Sequence, residues 1–462
     1  MAAIEVDVAI IGGGSGGYAA ARTAVSRGLT TAVVDGAAQL GGLCILRGCM
    51  PTKALLHAAE VYHQMQRSQV WGLRAGEVGY DFARVMERKN RLIGDFAAYR
   101  QQQLTEGKFR LLRAPARFLD PHTLDLGPAG TLRARAFVIA TGSVQAPAPL
   151  PALDQADCLN SDAALELKQL PKSMVVLGGG AVAIEFAQFF GRFGVQVSVV
   201  QRSSRLLKDF DPDAGAVVES VFRKEGIQVY TGTRLLDAGQ DGQGKYVEFE
   251  HEGQRRRIQA EEIFNGLGRA PNTAHLNLEA AGVKLERGRI VTNDTMQTSA
   301  PHIFAAGDCT GPYELVHLAV TQGEVAGANL LAPAPTKRMD YRLLTFVVFS
   351  DPQVATVGLT EEEARRSGIA YLAASYPFND HGKSLIMEAL DGHVKLLADP
   401  KTGEILGGAC VGPGGGDLIH EIVVAMAARM TVQQLAAVPH YHPTLAEIWT
   451  YPSEDLASQI SG

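Results

Sequence analysis

Two stretches of the chain repeat one pattern of apolar and polar positions. The first, "VDVAIIGGGSGGYAAARTAVSRGLTTAVVDG", runs as an apolar segment, a glycine-rich turn, an alanine-rich segment and a second apolar segment. The second, "KSMVVLGGGAVAIEFAQFFGRFGVQVSVVQRSSRLL", repeats that order. Short continuous apolar runs indicate buried parallel strands, whereas the longer alanine-rich segments favour helices. The chain is therefore predicted to contain two strand–turn–helix–strand units.

The turn in each unit carries the glycine spacing of a dinucleotide-binding fold. The matching positions are Gly12, Gly14 and Gly17 in the first unit and Gly178, Gly180 and Ala183 in the second. The first glycine permits the tight turn, the second lets a pyrophosphate approach the backbone, and the third position lets helix pack on strand. Free N–H groups at the helix N-terminus favour anions. A glycine triplet alone is a weak signal, but the strands and helix around it favour two nucleotide sites.

The residue after the second strand differs between the two units. Asp35 ends the first unit, where a carboxylate can accept hydrogen bonds from ribose hydroxyls. Gln201 takes that place in the second unit, followed by Arg202 and, nearby, Arg205. A missing carboxylate with arginines suits the extra phosphate of NADP, because guanidinium binds phosphate through two parallel hydrogen bonds. We favour NADP(H) over NAD(H), and a solvated arginine loop with NAD is the alternative.

Two nucleotide folds in one chain indicate electron transfer between two dinucleotides. The first would be FAD, held permanently, and the second a nicotinamide that comes and goes. The composition agrees with an ordinary soluble protein of two to four domains: 462 residues, 46% apolar, 20% charged. The net charge of -6 gives no reason to expect nucleic acid. The N-terminal apolar run is broken by glycines and follows no basic segment, so we expect neither signal peptide nor membrane span, and a cytoplasmic location.

Two cysteines, Cys44 and Cys49, lie five positions apart in "GGLCILRGCMPTKALL". The other three, Cys158, Cys309 and Cys410, are far apart in sequence. This distribution supports neither a disulfide scaffold nor a local four-cysteine zinc site, and we expect no metal. The segment "PTKALLHAAEVYHQMQRS" has helical composition, so Cys49 is predicted near a helix N-terminus, which stabilises a thiolate. The residues alone leave buried thiols and a redox-active pair as alternatives.

Eight motifs occur in one order: "IIGGGSGG", "GGLCILRGCMPTKALL", "VIATGS", "VVLGGGAVAIEFA", "GLGRAPNT", "IFAAGDCTG", "DPQVATVGLTEEEA" and "HYHPTLAEIW". With these motifs the sequence resembles the FAD-dependent pyridine nucleotide–disulfide oxidoreductases, which include dihydrolipoamide dehydrogenase, glutathione reductase and mercuric reductase. The resemblance covers essentially the whole chain. It implies an α/β protein with two Rossmann-like dinucleotide-binding domains and an α+β C-terminal dimerisation domain. We expect residues 1–148 and 266–338 to bind FAD, 149–265 to bind NAD(P), and 339–462 to form the interface domain.

The resemblance also implies roles for the residues around the cysteines. The family places a disulfide of this spacing against the flavin, so Cys49 is the flavin-side thiol and Cys44 the interchange thiol that meets substrate. Lys53 matches a lysine beside the flavin ring, and Glu185 matches its acidic partner. Arg47, between the cysteines, departs from the family's pattern. It either steers an anionic substrate or pairs with a local acid.

Further cofactor-binding residues follow from the resemblance. They are Thr141 and Gly142 in "VIATGS", Gly307 and Asp308 in "IFAAGDCTG", and Gly268 and Arg269 in "GLGRAPNT", the segment that returns the chain to the flavin domain. Asp308 would hydrogen-bond the ribityl chain, and Gly307 would let the backbone approach the cofactor. Cys309 is expected to be a buried structural cysteine.

A catalytic base is expected near the C-terminus. In "HYHPTLAE", His442 precedes a proline and Glu447 follows five residues later. An imidazole near neutral pKa can shuttle a thiol proton, and a carboxylate can fix its orientation. The family carries this pair and supplies it from the partner subunit, so the resemblance implies a homodimer with a shared active site. His440 is the competing histidine, but its position does not match the family's base.

Several activities are compatible with the resemblance. Mercuric reductases share "DPQVATVGLTEEEA", yet they commonly carry an N-terminal metal-binding domain and a C-terminal cysteine pair, and they lack the His–Pro dyad. The segments "ELVHLAVTQGEVAGANL" and "FNDHGKSLIMEA" are similar to the dihydrolipoamide dehydrogenase branch. We therefore expect a small or protein-bound dithiol or disulfide substrate, with lipoyl groups first. Alternatives are an NADPH-dependent reductase of another disulfide, a mercuric reductase, a soluble transhydrogenase or oxidase, and a lipoyl-domain binding subunit.

Overall fold

The computed structural model describes residues 3–460. The α-helices in this range, α1 to α14 in chain order, are Ser15–Ser26, Gly42–Arg47, Cys49–Gln66, Phe82–Thr105, Pro151–Gln155, Ser161–Ala164, Ala181–Arg192, Pro212–Lys224, Val316–Asn329, Glu361–Arg366, Gly382–Met387, Gly415–Ala427, Val432–Ala436 and Thr450–Ile460. The strands β1 to β12 are Ile4–Ile11, Thr31–Val34, Arg110–Leu112, Arg117–Asp120, Thr123–Asp125, Thr131–Ile139, Ser143–Gln145, Ser173–Leu177, Gln196–Val200, Gln228–Tyr230, Arg234–Asp241 and Gly244–His251. The strands β13 to β23 are Gln254–Ala260, Glu262–Asn265, Arg269–Pro271, Leu285–Glu286, Arg289–Ile290, Ile303–Ala305, Thr345–Val348, Gln353–Gly358, Leu372–Pro377, His393–Ala398 and Ile405–Gly412.

The first predicted unit is confirmed as β1–α1–β2 at the centre of a seven-stranded sheet. The strand order is β3-β2-β1-β6-β5-β4, and β18 pairs with the last three residues of β6, beyond the residues that pair with β5. Strands β1, β2, β3, β6 and β18 run parallel, whereas β4 and β5 join antiparallel. Because β18 follows the second unit in the chain, this sheet contains strands from before and after that unit in sequence. The carboxyl ends of its parallel strands are where such sheets bind nucleotides.

The second predicted unit is confirmed as β8–α7–β9. It forms a parallel four-stranded sheet in the order β10-β9-β8-β14. The strands β8 and β9 are buried over most of their length, which explains their continuous apolar sequence. An antiparallel sheet, β11-β12-β13, packs on it through a common apolar core.

The last part of the chain forms a five-stranded antiparallel sheet in the order β19-β20-β23-β22-β21. Helices α12 and α14 bury their apolar faces in the same core as this sheet. The segment "GGDLIHEIVVAMAARMTVQQLAAV" forms two helices, α12 and α13. Arg429 adopts a positive φ of 54° after α12, and Thr431 starts α13 with a capping box to Gln434. The capping residue thus begins a new helix where the apolar pattern alone continues the old one.

The chain divides into two compact units. One contains residues 1–52, 86–147 and 268–339, and the other contains residues 53–85, 148–267 and 340–462. The expected domain boundaries lie within two residues of three of these breaks, and the division into three domains stays a prediction. Among residues 3–460, no helix combines the length and the apolar character that crossing a membrane requires.

Candidate active site

The first glycine turn forms a cradle of bare backbone at the N-terminus of α1. Gly12 has a φ of +102°, and a Cβ there would lie 2.3 Å from the carbonyl oxygen of Ala140. Gly14 caps α1. A Cβ on Gly42 would lie 2.8 Å from the Cα of Gly14. A Cβ on Gly17 would lie 1.9 Å from the carbonyl oxygen of Gly12. Gly12 and Gly17 therefore each have a steric reason to be glycine, whereas a Cβ on Gly14 would meet only Gly42, at 3.8 Å. The N–H groups at the helix N-terminus suit a pyrophosphate.

Asp35 lies directly after β2 and faces this turn. Its Oδ2 accepts a hydrogen bond of 2.8 Å from the N–H of Gly13, and its Oδ1 accepts one of 2.9 Å from the N–H of Ala37. The carboxylate is thereby held at the end of the strand. It is placed as an acceptor for the ribose of a dinucleotide bound at the turn.

Arg100 lies beside the same turn and was missed by the sequence analysis. Its guanidinium lies 4.4 Å over the ring of Tyr18, a residue of α1. Nε and Nη1 of Arg100 are buried and have no hydrogen-bond partner among the described residues. Burial lowers the pKa of this guanidinium below its usual value. A buried cation with unused donors needs an anion, and the pyrophosphate of FAD fits that need.

A second group of polar residues of this unit surrounds Asp308. Ser143 Oγ donates to Asp308 Oδ2 at 2.7 Å, and Arg269 donates to Ser143 through Nε at 2.8 Å and Nη2 at 2.9 Å. Oγ1 of Thr141 is buried without a hydrogen-bond partner in the described part of the chain. Gly307, at a φ of +79°, donates its N–H to Gln322 at 2.8 Å. The expected FAD residues thus occur together, with donors and acceptors that fit a polar cofactor chain.

The remaining residues of that set line the same strand pair. Gly142 has a φ of +71°, and Gly268 has a φ of +113°. The strands β7 and β15, which follow these two glycines, pair antiparallel. Arg269, in β15, hydrogen-bonds Ser143, in β7, and Ser143 in turn hydrogen-bonds Asp308.

The cysteine pair occupies the junction of two helices. Cys44 lies in α2, and Cys49 begins α3, which confirms the predicted position of Cys49 near a helix N-terminus. A Cβ on Gly48 would lie 3.2 Å from the Cα of Cys44, which is a tight contact where the chain folds back between the cysteines. Both cysteines are half-buried, and Arg47 is exposed on α2. A helix N-terminus at Cys49 favours the thiolate form of that residue.

The three other cysteines lie in environments that disfavour the thiolate. Cys309 and Cys410 are fully buried, and Cys158 is half-buried. Burial raises the pKa of Cys158 and of Cys309 to about 11, and it raises the pKa of Cys410 further. Burial therefore disfavours thiolate chemistry at these three cysteines.

Lys53 and Glu185 are in direct contact. Nζ of Lys53 donates to both carboxylate oxygens of Glu185, at 2.9 and 2.8 Å. The N–H of Phe349 donates to Oε1 of Glu185 at 3.0 Å, and the ammonium lies 4.6 Å over the ring of Phe349. Glu185 is almost fully buried, whereas Lys53 is 30% exposed. The carboxylate neutralises and orients a lysine one turn after Cys49, as the resemblance implies.

The second glycine turn repeats the first with one exchange. Gly178 has a φ of +112°, and Gly180 caps α7. At the third position Ala183 replaces glycine, and a Cβ on Gly266, after β14, would lie 2.9 Å from the Cβ of Ala183. Gln201 follows β9 and is buried, with its side chain packed against Gly179. The amide of Gln201 thus occupies the place that the carboxylate of Asp35 has in the first fold.

The two arginines after Gln201 have different environments. Arg205 donates through Nη2 to the carbonyl oxygens of Lys208 and Phe210, at 2.9 and 3.2 Å, and to Glu362 Oε2 at 2.5 Å. Its Nη2 is thus occupied by protein partners, whereas its Nε is buried without a hydrogen-bond partner among the described residues, so its assignment as a phosphate ligand stays a prediction. Arg202 is exposed. The sequence cannot distinguish the two, because Glu362 lies 157 positions away from Arg205.

The histidine and glutamate near the C-terminus form the expected pair. Nδ1 of His442 lies 2.9 Å from Oε2 of Glu447. The side chain of His442 is 78% exposed, whereas that of Glu447 is 11% exposed. His440 also has a carboxylate partner, Glu421, at 2.6 Å, but its side chain is only 8% exposed. His442 alone of these two histidines presents its imidazole to solvent while a buried carboxylate orients the ring.

Packing fixes the position of Glu447. The turn Ala446–Trp449 buries Ile448 and Trp449 completely, and Nε1 of Trp449 donates to the carbonyl oxygen of Leu418 in α12 at 3.2 Å.

A third histidine, His381, also contacts Glu447 and was not identified from the sequence. No cluster of three metal-binding side chains occurs between residues 3 and 460, so this part of the molecule offers no pre-formed metal site.

Comparison with known proteins gives the same family from several directions. The family model of pyridine nucleotide-disulphide oxidoreductases matches residues 6–323, and the model of the dimerisation domain of that family matches residues 345–452. The chain is 35% identical to a dihydrolipoyl dehydrogenase of Geobacillus stearothermophilus, over 96% of this chain and 95% of the relative. It is also 35% identical to a mercuric reductase of Streptomyces lividans, over 98% and 97%. The crystal structure of LpdA from Mycobacterium tuberculosis superposes with a TM-score of 0.87 at 27% identity, covering 98% of this chain and 100% of that one.

Proposed function

The chain belongs to the pyridine nucleotide-disulphide oxidoreductase family, and we propose that it transfers electrons between NADP(H) and a lipoyl-type dithiol or disulfide. Membership makes it an FAD-dependent oxidoreductase that uses a nicotinamide dinucleotide, and the dimerisation domain indicates a homodimer. The substrate, the preference for NADP(H), an active site shared between subunits and a cytoplasmic location, where a cycling thiol pair is favoured, are parts of the proposal.

The pairing of His442 with Glu447 carries the proposal. An exposed imidazole held at 2.9 Å by a buried carboxylate can take a proton from a substrate thiol and return it. Dithiol oxidation needs such a base, because only the thiolate attacks a disulfide. We assign this role to His442 acting on the Cys44–Cys49 pair of the other subunit.

The residues that would hold FAD fit the cofactor. The turn at Gly12 and Gly14, with Arg100, suits the pyrophosphate, and Asp35 suits a ribose. Asp308, held by Ser143, suits the ribityl hydroxyls. Bound there, FAD supplies two-electron transfer between the nicotinamide and the cysteine pair. Glu185 holds the ammonium of Lys53 in a fixed position one helical turn after Cys49.

The thiol chemistry follows from the positions of the two cysteines. In dithiol oxidation, a substrate thiolate attacks Sγ of Cys44, the Cys44–Cys49 bond breaks, and Cys49 leaves as a thiolate that its helix N-terminus stabilises. His442 takes the proton of the second substrate thiol, which then displaces Cys44 and closes the substrate disulfide. The enzyme pair gains the two electrons that the substrate loses, and the reverse order reduces a disulfide.

The preference for NADP(H) rests on Gln201 and Arg202. An amide does not repel a ribose phosphate as a carboxylate would, and the exposed guanidinium of Arg202 follows it directly. The names of the relatives do not decide this point, and we expect KM for NADPH to lie about tenfold below KM for NADH.

Mercury reduction is the second candidate function, because one full-length relative is a mercuric reductase. This chain covers 97% of that relative, so an additional N-terminal domain does not distinguish the two activities. The His442–Glu447 pair still favours dithiol chemistry. Addition of Hg(II) to the enzyme with NADPH tests the candidate, since mercury-dependent NADPH oxidation would support it.

The experiment that tests the proposal replaces Cys44 by serine in the FAD-loaded protein. We expect Cys44→Ser to abolish dihydrolipoamide and lipoamide turnover while nicotinamide still bleaches the flavin absorbance. Cys158→Ser is the matched control, because Cys158 is a half-buried thiol outside the pair, and it should keep wild-type turnover. A wild-type protein that turns over neither lipoyl form would contradict the lipoyl assignment, and a Cys44→Ser variant with full turnover would contradict the mechanism.

A further inference from the structure

His381 is a fully buried histidine on the far side of Glu447 from His442. It lies between the turn Phe378–Asp380 and helix α11, and its side chain has no exposed surface. Its Nδ1 lies 2.8 Å from Oγ of Ser384, and its Nε2 lies 3.3 Å from Oε1 of Glu447. Since Oε2 of Glu447 contacts His442, the two carboxylate oxygens are divided between two histidines.

The neighbours of His381 select one tautomer of its ring. A carboxylate oxygen can only accept, so the nitrogen that faces Glu447 must carry the hydrogen. Ser384 is buried, and its hydroxyl can donate to Nδ1 when that nitrogen is unprotonated. Nε2 has no hydrogen-bond partner among the described residues, and its contact with Glu447 falls short of good alignment. A buried N–H without an acceptor destabilises the fold, and Glu447 is the nearest acceptor for the N–H of His381.

The other groups around the ring do not compete for this role. Tyr451 and Phe378 contact the ring edge-on, each with centroids 6.3 Å away. The hydroxyl of Tyr376, the ring stacked on Tyr451, hydrogen-bonds Asp380 instead. Glu447 and His442 are the titratable groups that act on His381 electrostatically, and burial lowers the pKa of His381 although Glu447 opposes this. A neutral His381 adds no positive charge that would weaken the attraction between Glu447 and a protonated His442.

We propose that His381 is a positioning residue, whose neutral imidazole donates Nε2–H to Oε1 of Glu447 and thereby holds Oε2 against Nδ1 of His442. The arrangement extends the His–Glu pair to a line from Ser384 through His381 and Glu447 to His442. His381 touches neither substrate nor cofactor in this role. The inference rests on the proposed function of His442 as the base, and it adds the group that keeps the carboxylate of that base in place.

Two variants separate positioning from simple packing. His381→Leu removes the donor and keeps an apolar side chain in the core, whereas His381→Gln offers an amide N–H near the former Nε2. We expect kcat with dihydrolipoamide to fall about tenfold in His381→Leu and to stay within about threefold of wild type in His381→Gln. Reduction of a dye by NADPH, which does not need the cysteine pair, should be unchanged in both. His275→Leu, at an exposed histidine outside this region, is the control.

A second readout does not depend on the substrate. The pH dependence of Cys44 alkylation by iodoacetamide, measured after anaerobic reduction with NADPH, reports how well the His442 base stabilises the thiolate. We expect the profile to move to higher pH in His381→Leu and to stay in place in His381→Gln. Wild-type kcat and profile in His381→Leu, or equal losses in both variants that follow a lowered Tm, would overturn the proposal. Absence of lipoyl turnover in the wild type would instead overturn the proposed substrate, while the alkylation profiles would still decide the role of His381.

Discussion

The two dinucleotide folds share one backbone turn, yet they accommodate it with different residues. The first turn residues, Gly12 and Gly178, have similar φ angles of +102° and +112°. In the first fold Gly17 faces Ala140, whereas in the second Ala183 faces Gly266. The small residue has changed sides, from the helix to the end of the neighbouring strand. Close packing of helix on strand is thus a property of the pair, and the third glycine of the motif is one way to provide it.

At the residue after the second strand, the two folds differ in side-chain chemistry and not in position. Asp35 and Gln201 both follow the second strand and both contact the middle glycine of the turn. The carboxylate accepts an N–H hydrogen bond and can accept from ribose, while the amide tolerates a phosphate nearby. We relate this difference to FAD in the first fold and to the proposed NADP(H) in the second.

We expect the largest effect from a substitution that disrupts the packing of helix on strand in the first fold. Gly17→Ala would place a Cβ 1.9 Å from the carbonyl oxygen of Gly12, a backbone clash that we expect to cost about 3 kcal/mol or more. The purified variant should lack FAD, which absorbance measures directly. Ala183→Gly, the reverse exchange in the second fold, should cost only about 1 kcal/mol and retain FAD. Normal FAD content in Gly17→Ala would show that the turn can relax.

The next effect concerns the carboxylate of the first fold. Asp35→Asn retains the shape of the side chain but removes the negative charge of the carboxylate. Oδ2 of that carboxylate accepts a hydrogen bond of 2.8 Å from the N–H of Gly13. Since hydrogen bonds to charged groups contribute about 1.5–3 kcal/mol, we expect Kd for FAD to rise at least tenfold. Fluorescence titration of the apoprotein measures it. An unchanged Kd would remove Asp35 from the FAD site, and Asp209→Asn, at an exposed carboxylate, is the matched control.

Converting the second fold towards the first should move its nucleotide preference. Gln201→Glu introduces the carboxylate that the first fold has, which repels the phosphate of NADP and accepts from the ribose of NAD. We expect the ratio of kcat/KM for NADPH to that for NADH to fall about tenfold. If the ratio does not change, Gln201 is not the residue that reads the ribose. Steady-state dye reduction with each nucleotide gives both values.

The smallest expected effect separates the two arginines. Arg202→Gln should raise KM for NADPH about threefold and leave KM for NADH unchanged, because only the phosphate contact is lost. Arg205→Gln should instead lower Tm, since it breaks the ion pair with Glu362 and two hydrogen bonds to backbone carbonyls. The reverse pattern would identify Arg205, and not Arg202, as the phosphate ligand.

The sequence predicts local features of this molecule well. Both strand–turn–helix–strand units and the helix beginning at Cys49 follow from apolar periodicity and glycine spacing within short segments. The contacts of Lys53 with Glu185 and of His442 with Glu447 agree with the family resemblance, whose motifs carry these pairs across 132 and five positions.

What the sequence does not predict depends on distant side chains. Arg205 is held by Glu362 and His381 by Glu447, and no local pattern links either pair. Arg100 lies on α4 among many polar residues, and only its unsatisfied buried nitrogens distinguish it. Such roles arise from tertiary packing, so they become visible only when burial and partners are known.

The most direct test of the account follows the thiols of Cys44 and Cys49 through one reduction. The oxidised, FAD-loaded protein is alkylated anaerobically before and after one equivalent of NADPH, and mass spectrometry reads the label at each cysteine. We expect no label on Cys44 or Cys49 before NADPH and label on Cys44 afterwards, with Cys309 and Cys410 unlabelled throughout because they are fully buried. A pair that is already labelled before NADPH, or that stays unlabelled after the flavin has been reduced, would contradict the claim that these two cysteines carry the electrons.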